Sequence, residues 1–415
     1  MASRPASIFL IACFGAAALY TGLRGDTVPL LAALLVLVAA AAAYAWNHFV
    51  FAKLTLERKL NRRCADFDAP IVLRLSAANR KVLPIFGLKV NFTITSGLEV
   101  EPAAAAAVHD AGYDMFQEVL HLSWYEKRSR VYQLRPARRG RFQFGTGSLH
   151  YTDPFGFFSN AREEVFDEDQ LIVFPRIVPI RGLDPLHTYL FGSRPKEGWI
   201  FQDPLNRVGT RPYQSTDSAR KINWKATARH IQAQVDLEKP SFDREVILIL
   251  DQPPGLPWWT SRVANNLEIA IMAAASLIHS YAEQGYELKL VTNLVSKTHG
   301  TGGLPGSAAR GRAQRNQHLT NLALLQSFSM EPTAKVLARL QYKIRPGSSI
   351  LIITTAVGRL SPAFLQQVRR LGLQGKVAVI RVLPDSSDAP REAGLREWRI
   401  EGGEPWHEAA ALELS

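Results

Sequence analysis

The sequence predicts a three-part chain: an N-terminal transmembrane helical hairpin, an antiparallel β-sandwich domain, and a C-terminal α/β domain built on a parallel sheet. Three observations lead there. Two long apolar runs occupy the first 50 residues, short β-rich runs separated by turn residues fill residues 65–185, and from residue 245 apolar runs alternate with helical patterns. At 415 residues the chain exceeds the size at which one core stops growing, so several units are expected.

The hairpin comes first. "SIFLIACFGAAALYTGL" (residues 7–23) is apolar up to "RGDT", and "VPLLAALLVLVAAAAAYAW" (residues 28–46) is apolar again without a charge. Each approaches the roughly 17–25 residues that cross a bilayer core as helix. A cleaved signal peptide would be followed at once by a second long apolar run, which favours two spans. Arg4 precedes the first run, and Lys53, Arg58, Lys59, Arg62 and Arg63 follow the second, whereas Arg24 in the connecting loop is balanced by Asp26. By the positive-inside rule both ends are then cytoplasmic. Residues 1–60 are expected to form this hairpin with a basic juxtamembrane segment, in a multi-pass protein of the plasma (inner) membrane whose soluble domains face the cytoplasm.

The charge is consistent with that setting. Lys and Arg number 49 against 37 acidic residues, a net +12, part of which the membrane surface explains. No zinc-ligand spacing, RRM-like aromatic signature or recognition helix accompanies the basic residues, so a nucleic-acid partner is not expected. Cys13 and Cys64 offer no disulfide framework.

Residues 65–185 read as strands. "APIVLRLSAANR", "GLKVNFTITSGLEV", "FQEVLHLSWY", "RVYQLRPARRGRFQFGTGSLHYTD" and "QLIVFPRIVPI" are β-branched and aromatic, partly alternating, and bounded by Gly, Pro and Asn. "EPAAAAAVHDAG" reads as a helical turn or a loop. His109, His121 and His150 are scattered and form no catalytic constellation. The one sharp motif is Asp153-Pro154-Phe155-Gly156, where Pro fixes a dihedral, Gly permits positive φ and Asp bonds nearby amides. It reads as a structural corner, anchored by Phe157 and Phe158, rather than a ligand site.

Beyond residue 245 the period changes. "EVILILD" suits a buried parallel strand, "SRVANNLEIAIMAAASLIHSYAEQG" a helix with a glycine stop, and "YELKLVTN" the next strand. Helices around "HLTNLALLQSF", "TAKVLARLQYKI" and "SPAFLQQVRRLG" and strands "SSILIITT" and "KVAVIRVL" follow. Continuous apolar strands with helices between them mean a parallel sheet covered on both faces. Ligands of such sheets bind beyond the carboxyl ends of the strands, which singles out Asp251.

Residues 186–244 bridge the two domains and carry the most specific pattern, Arg211, Tyr213, Asp217, Arg220, Ile222, Trp224, Ala228 and Arg229. With the apolar hairpin, "RRGRF…DPFGFF" and a strand ending in "LD", this pattern resembles the DUF58 family of bacterial membrane proteins, whose C-terminal part resembles a von Willebrand factor A domain. Thr216 stands where that family usually has glycine. The resemblance implies no established enzyme activity. It implies a protein-interaction role, with a MoxR-type AAA+ ATPase as the leading partner, in assembling or remodelling other proteins.

A von Willebrand-type domain commonly binds a divalent cation through Asp-x-Ser-x-Ser after its first strand, with a Thr and an Asp from later loops. Here the segment reads Asp251-Gln252-Pro253-Pro254-Gly255, and Thr354 and Thr355 end the later strand without an aspartate. Asp251 is therefore expected as a vestige of a metal position, with no metal and no cofactor bound. Around the bridge, a planar Arg fork and an indole face suggest that Asp217, Arg220, Trp224 and Arg229 form a fixed interdomain knot. The alternative leaves Arg211 and Arg220 facing an acidic partner.

"HGTGGLPGSAARGRAQR" is Gly-rich and basic but lacks the Gly-Lys-Ser/Thr ending of a phosphate-binding loop, and reads as a mobile loop. No nucleophile elbow or Cys/His arrangement occurs, and His299 and His318 have no evident carboxylate partner. The sequence thus predicts a membrane-anchored adaptor that is not an enzyme and takes no small-molecule substrate. The rival reading is a metal-dependent or cryptic hydrolase at the membrane.

Overall fold

The computed structural model describes every residue except 1, 4, 25–26, 102–108, 111, 154–155, 157, 165, 167–169, 193–201, 215–216, 218–221, 231, 241–244, 256–259, 297–310, 330, 346, 385–388 and 403–404. The chain divides into two units, Met1–Arg176 and Ile177–Ser415.

The first unit opens with helices Pro5–Arg24 and Thr27–Phe49, which pack against each other. Thr27–Phe49 is the one helix among the described residues that is long and apolar enough to cross a membrane. Most of the longer helix is exposed, and its final turns are fastened to the β-domain that follows. The Asn160 amide donates to Asn47 O at 3.1 Å, Trp46 Nε1 to Pro84 O at 3.1 Å, and Lys81 Nζ to Ala52 O at 2.8 Å and to Val50 O. The Asn160 and Lys81 bonds satisfy carbonyls in the last turn of the helix and just beyond it.

Two antiparallel sheets enclose one core. Ile85–Thr95, Tyr113–Leu122, Gly140–Thr152 and Phe158–Glu164 lie in the larger, and Leu54–Leu60, Ile71–Asn79, Lys127–Pro136 and Leu98–Glu101 form the smaller. The period-2 pattern decides the inward faces: Ile71, Leu73, Leu75 and Ala77 of one strand are fully buried, as are Phe142, Leu149 and Tyr151 of another. Phe116 of the large sheet meets Tyr132 of the small one edge to face at 4.9 Å, the favoured aromatic geometry.

Several expectations are corrected here. The β-domain begins at Leu54, inside the segment assigned to basic juxtamembrane chain. Arg58 does not face lipid headgroups; it is 5% exposed, donates to Gly145 O and Phe144 O, and lies over the rings of Phe92, Phe144 and Phe166. "GLKVNFTITSGLEV" is two strands in different sheets, and so is "RVYQLRPARRGRFQFGTGSLHYTD". Residues 102–108 and 111, most of "EPAAAAAVHDAG", lie outside the described residues.

At the 153–158 corner the described residues bond one another. Asp153 is 3% exposed, its carboxylate accepts from Phe158 N at 2.5 Å, and Gly156 takes φ +74 while donating to Asp153 O at 2.9 Å. Phe158 packs edge-on against Tyr44 of the apolar helix, with ring centres 5.6 Å apart. Pro154, Phe155 and Phe157 lie outside the described residues.

The second unit centres on a five-stranded parallel sheet. Its spatial order is Glu287–Thr292, Glu245–Asp251, Ser349–Thr354, Lys376–Leu383, Glu397–Glu401, which is two-one-three-four-five in chain order. Ile247, Ile249, Ile350, Ile352 and Val379 pack with Leu337, Leu340, Phe364, Val368 and Leu371 of helices Thr333–Leu340 and Pro362–Gly372. Helix Ser261–Glu283 also packs on the sheet, and Gly285 at φ +80 follows its end. "HLTNLALLQSF" is not one helix: Arg312–Ala323 is helical and Leu325–Ser329 pairs with Leu294–Ser296 as a ladder. Residues 297–310, most of the Gly-rich basic stretch and His299, lie outside the described residues.

Candidate functional site

Two places in the second unit bring the chemistry-bearing residues together. The first is the carboxyl end of the parallel sheet. Because the chain runs from strand one outward to strand two and then back across to strand three, the crevice between strands one and three is the switch point where open α/β sheets take ligands. Asp251 and Thr354 face each other across it in register.

Asp251 is 3% exposed, and both of its carboxylate oxygens accept hydrogen bonds from the protein itself. Oδ2 accepts from Thr354 Oγ1 at 2.6 Å; Oδ1 accepts from Thr333 Oγ1 and from Asn293 Nδ2 at 3.1 Å. Burial pushes the Asp251 carboxyl up from its ordinary value, and these three hydrogen bonds pull against that shift. Thr333 is the first residue of helix Thr333–Leu340, so the carboxylate also lies at a helix N-terminus, where negative charge is favoured.

Asn293 occupies the centre of this cluster. Its amide nitrogen lies 3.1 Å from Asp251 Oδ1, 2.7 Å from Gln252 O, 3.2 Å from Thr333 Oγ1 and 3.3 Å from Glu331 O. Its orientation is set by Gln252 N, which donates to Asn293 Oδ1 at 3.1 Å. A donor surrounded by four oxygens stands where a divalent cation would need an open position and further oxygen ligands. Among the described residues no three His, Cys, Asp or Glu side chains gather at one point. With the Asn293 amide nitrogen at its centre, this donor set does not fit a cation.

The loop beyond Thr354 is held rigid from behind. Arg381, fully buried, donates to Ala356 O at 3.2 and 2.9 Å, Gly358 O at 2.6 Å and Pro390 O at 3.1 Å, and pairs with Glu397 at 3.4 Å. Sequence reasoning singled out Asp251 and Thr354 but missed Asn293, Thr333 and Arg381. His318 is also buried; it donates through Nε2 to Leu288 O at 3.1 Å, and burial pushes its pKa down, as befits a neutral core histidine.

The second place is the signature segment. Strand Gln202–Pro212 pairs antiparallel with Gln234–Pro240, and a short helix, Trp224–Thr227, is capped by Asn223 Oδ1 accepting from Ala226 N at 2.9 Å. The Arg211 guanidinium forks onto Asp217, Nη1 to Oδ2 and Nη2 to Oδ1 at 2.6 Å each, and Gln214 N donates to Oδ2 at 3.0 Å. That hydrogen bond to Asp217 raises the Arg211 pKa further.

The expected knot is corrected accordingly. Asp217 is gripped by Arg211, and Trp224 is 73% exposed, so the indole does not take part in a buried cluster. Tyr213 is half-exposed and Arg229 exposed. Arg220 and Thr216 lie outside the described residues.

With this geometry in hand, the comparisons can be placed. Residues 209–392 match the family described as protein of unknown function DUF58. The DUF58 match starts just before Arg211 and runs through four strands of the parallel sheet, so both places described above fall within it. No curated protein matches the chain in sequence. Similar solved structures include a CARDB domain from Pyrococcus furiosus, 11% identical over 29% of this chain and 91% of that one, with a TM-score of 0.19. Others are a non-cellulosomal cohesin from Archaeoglobus fulgidus, 12% identical over 29% and 91% with a TM-score of 0.20, and the Bacillus subtilis sporulation control protein Spo0M, 10% identical over 29% and 49% with a TM-score of 0.18. At these scores neither fold nor function follows from them.

Proposed function

We propose that the protein is a membrane-anchored interaction adaptor whose C-terminal domain is von Willebrand factor A-like and binds protein partners rather than turning over a substrate. The observation that carries this reading is the Asn293 amide filling the switch-point crevice beside Asp251, whose two carboxylate oxygens both accept from buried internal donors. A carboxylate engaged in this way ties strand ends together rather than meeting a substrate. The parallel sheet, with an aspartate ending its first strand and a threonine supplied from a later helix start, supports the von Willebrand-type assignment.

On this reading helix Thr27–Phe49 spans the membrane, Pro5–Arg24 returns the N-terminus to the same side, and both soluble units face the cytoplasm. Tyr213, Trp224 and Arg229 are exposed, aromatic and cationic side chains open to a partner, and a MoxR-type AAA+ ATPase is the partner of first choice. A photo-crosslinking residue at Trp224 of the full chain in native membranes tests this. Recovery of an AAA+ ATPase subunit supports the adaptor reading; recovery of other proteins without it overturns the ATPase assignment. Turnover of ester or peptide substrates by the purified chain, lost in Asp251→Ala, would establish the hydrolase instead.

A further inference from the structure

The foot of the β-domain carries large apolar side chains where the apolar helix ends. Val82 is 61% exposed, Phe86 50%, Trp124 67% and Tyr125 69%. They lie on residues 80–86, a loop running into the start of strand Ile85–Thr95, and on loop 123–126, which are tied together because Tyr125 N donates to Lys81 O at 3.1 Å. Tyr125 takes φ +51, a conformation uncommon for an aromatic residue outside a fixed turn. Four such side chains in adjacent loops make a patch rather than scattered exposure.

The depth of this patch is fixed by the helix. Twenty-three residues from Thr27 to Phe49 span about 34 Å as helix, slightly more than the roughly 30 Å hydrocarbon core. The last turn therefore lies at a headgroup layer. Trp46 lies in that turn, where interfacial tryptophans concentrate, and its Nε1 donates to Pro84 O at 3.1 Å, in the same loop as Val82 and Phe86. Lys81 of this loop bonds Ala52 O at 2.8 Å, and Arg80 N donates to Lys53 O at 3.1 Å. On another side of the helix end, Phe158 reaches up to Tyr44. The two loops thus cannot leave the level of residues 44–52 without breaking the joint.

Their charge matches one surface. Lys53, Arg80 and Lys127 are exposed beside the apolar side chains, while Glu126, the one acidic residue in these loops, is engaged by Ser123 N at 2.6 Å and by Arg128 at 3.0 Å. Exposed cations around aromatic and aliphatic tips fit anionic headgroups above an acyl boundary, with each basic residue near the surface adding to attraction.

We propose that loops 80–86 and 123–126 form a second membrane contact, inserting Val82, Phe86, Trp124 and Tyr125 into the headgroup layer of an anionic bilayer. This rests on the reading of Thr27–Phe49 as a membrane span. The contact holds the β-domain upright on the membrane, so that the helix is a fixed post and not a flexible tether.

The full chain reconstituted in vesicles containing phosphatidylglycerol, with lipids brominated near the headgroup end of the acyl chain, tests it. Tryptophan quenching is compared among the native chain, Trp124→Phe and Trp46→Phe, with Trp124→Tyr in parallel in case phenylalanine disturbs the turn. The expected result is that each site's variant loses a quenched component, and that the Trp124 component shrinks in Val82→Asp/Phe86→Asp and in pure phosphatidylcholine. If Trp46→Phe loses its component but Trp124→Phe does not, the anchor stands and the second contact is overturned, the patch then facing a protein. If neither variant changes the quenching, the membrane span falls and this proposal with it. Equal Trp124 quenching in both lipids overturns the anionic preference.

Discussion

Arg211 closes a two-point fork on Asp217, with both nitrogen–oxygen distances at 2.6 Å, and so turns the signature segment back on its own strand. The Asp217 carboxyl is the more sheltered partner, 14% exposed against 37% for Arg211. A fork of this kind depends on the planar guanidinium, which lysine cannot reproduce. Arg211→Lys is therefore expected to lower the unfolding midpoint of the full chain almost as much as Arg211→Ala, by thermal denaturation. Trp224→Ala, at an exposed position, should leave that midpoint unchanged while lowering recovery of the partner when the full chain is purified by affinity from native membranes. The opposite pairing, a stable Arg211→Lys and an unstable Trp224→Ala, would restore the tryptophan-centred knot.

The Asn293 amide makes a sharp prediction about ions. A ligand that binds only the folded state stabilises it by mass action. Millimolar Mg²⁺ or Mn²⁺ should leave the melting temperature of the native chain unchanged. Asn293→Asp replaces the central donor with a second carboxylate beside Asp251 and should destabilise the ion-free protein while creating a Mg²⁺-dependent upward shift. A shift in the native chain that Asp251→Ala abolishes would show that the crevice takes a cation after all.

Asp251 itself is expected to be a staple. Asp251→Ala takes from Thr333 and Thr354 the carboxylate their hydroxyls donate to, and from Asn293 one of its acceptors, at a cost on the order of 2–5 kcal/mol. Asp251→Asn keeps the shape and removes the buried charge. Because burial raises the folded carboxyl above its unfolded value, the native aspartate contributes most below the unfolded pKa and loses that contribution as pH rises through the folded one. Denaturant midpoints measured from acid to neutral pH should thus fall for the native chain relative to Asp251→Asn. Parallel curves would mean that the hydrogen bonds cancel the burial effect.

Lys81 offers the reverse titration. Burial, helped by the nearby Arg162 charge, lowers its pKa from 10.5 to about 8. With the folded value depressed, the unfolded chain holds more protons between about 8 and 10.5, so this group adds stability as pH rises through that window and none below it. Lys81→Met should flatten the corresponding rise, and amine-reactive reagents at pH 8 should label Lys81 ahead of exposed lysines. Labelling at the ordinary lysine rate would contradict the buried joint at the helix end.

How much of this was legible in the sequence depends on the range of the interactions. The change from period-2 runs to continuous apolar strands separated by helices was readable because each element carries its own pattern, and Asp251 stood out because a strand end is a local feature. The joins were not. Residues 87–100 and 130–153 alternate the same way on both sides of the turns that split them between sheets, so period alone could not show the break. Arg58 looked like a headgroup cation because nothing nearby announces the Phe92, Phe144 and Phe166 rings that enclose it. Thr333 and Asn293 reach Asp251 from 82 and 42 residues away, and a convergence of that span leaves no spacing to read.

Topology is the prediction on which the adaptor reading depends most. The helix Thr27–Phe49 passes the length and apolarity test, and Pro5–Arg24, 20 residues long, either crosses back beside it or lies outside the bilayer. The expectation for the C-terminal side is the cytoplasm in either case, because the positive-inside bias weighs the basic flank of that helix. The N-terminus discriminates: a hairpin returns it to the cytoplasm, a single span leaves it on the opposite side. Reporter fusions at the N-terminus and after Ser415 read both ends at once. Two cytoplasmic signals are expected and support the hairpin. A cytoplasmic C-terminus with an external N-terminus would reduce the anchor to one helix and leave a cytosolic ATPase within reach. An external C-terminus would remove that partner altogether, since no AAA+ ring fuelled by cytosolic ATP could meet Trp224 there.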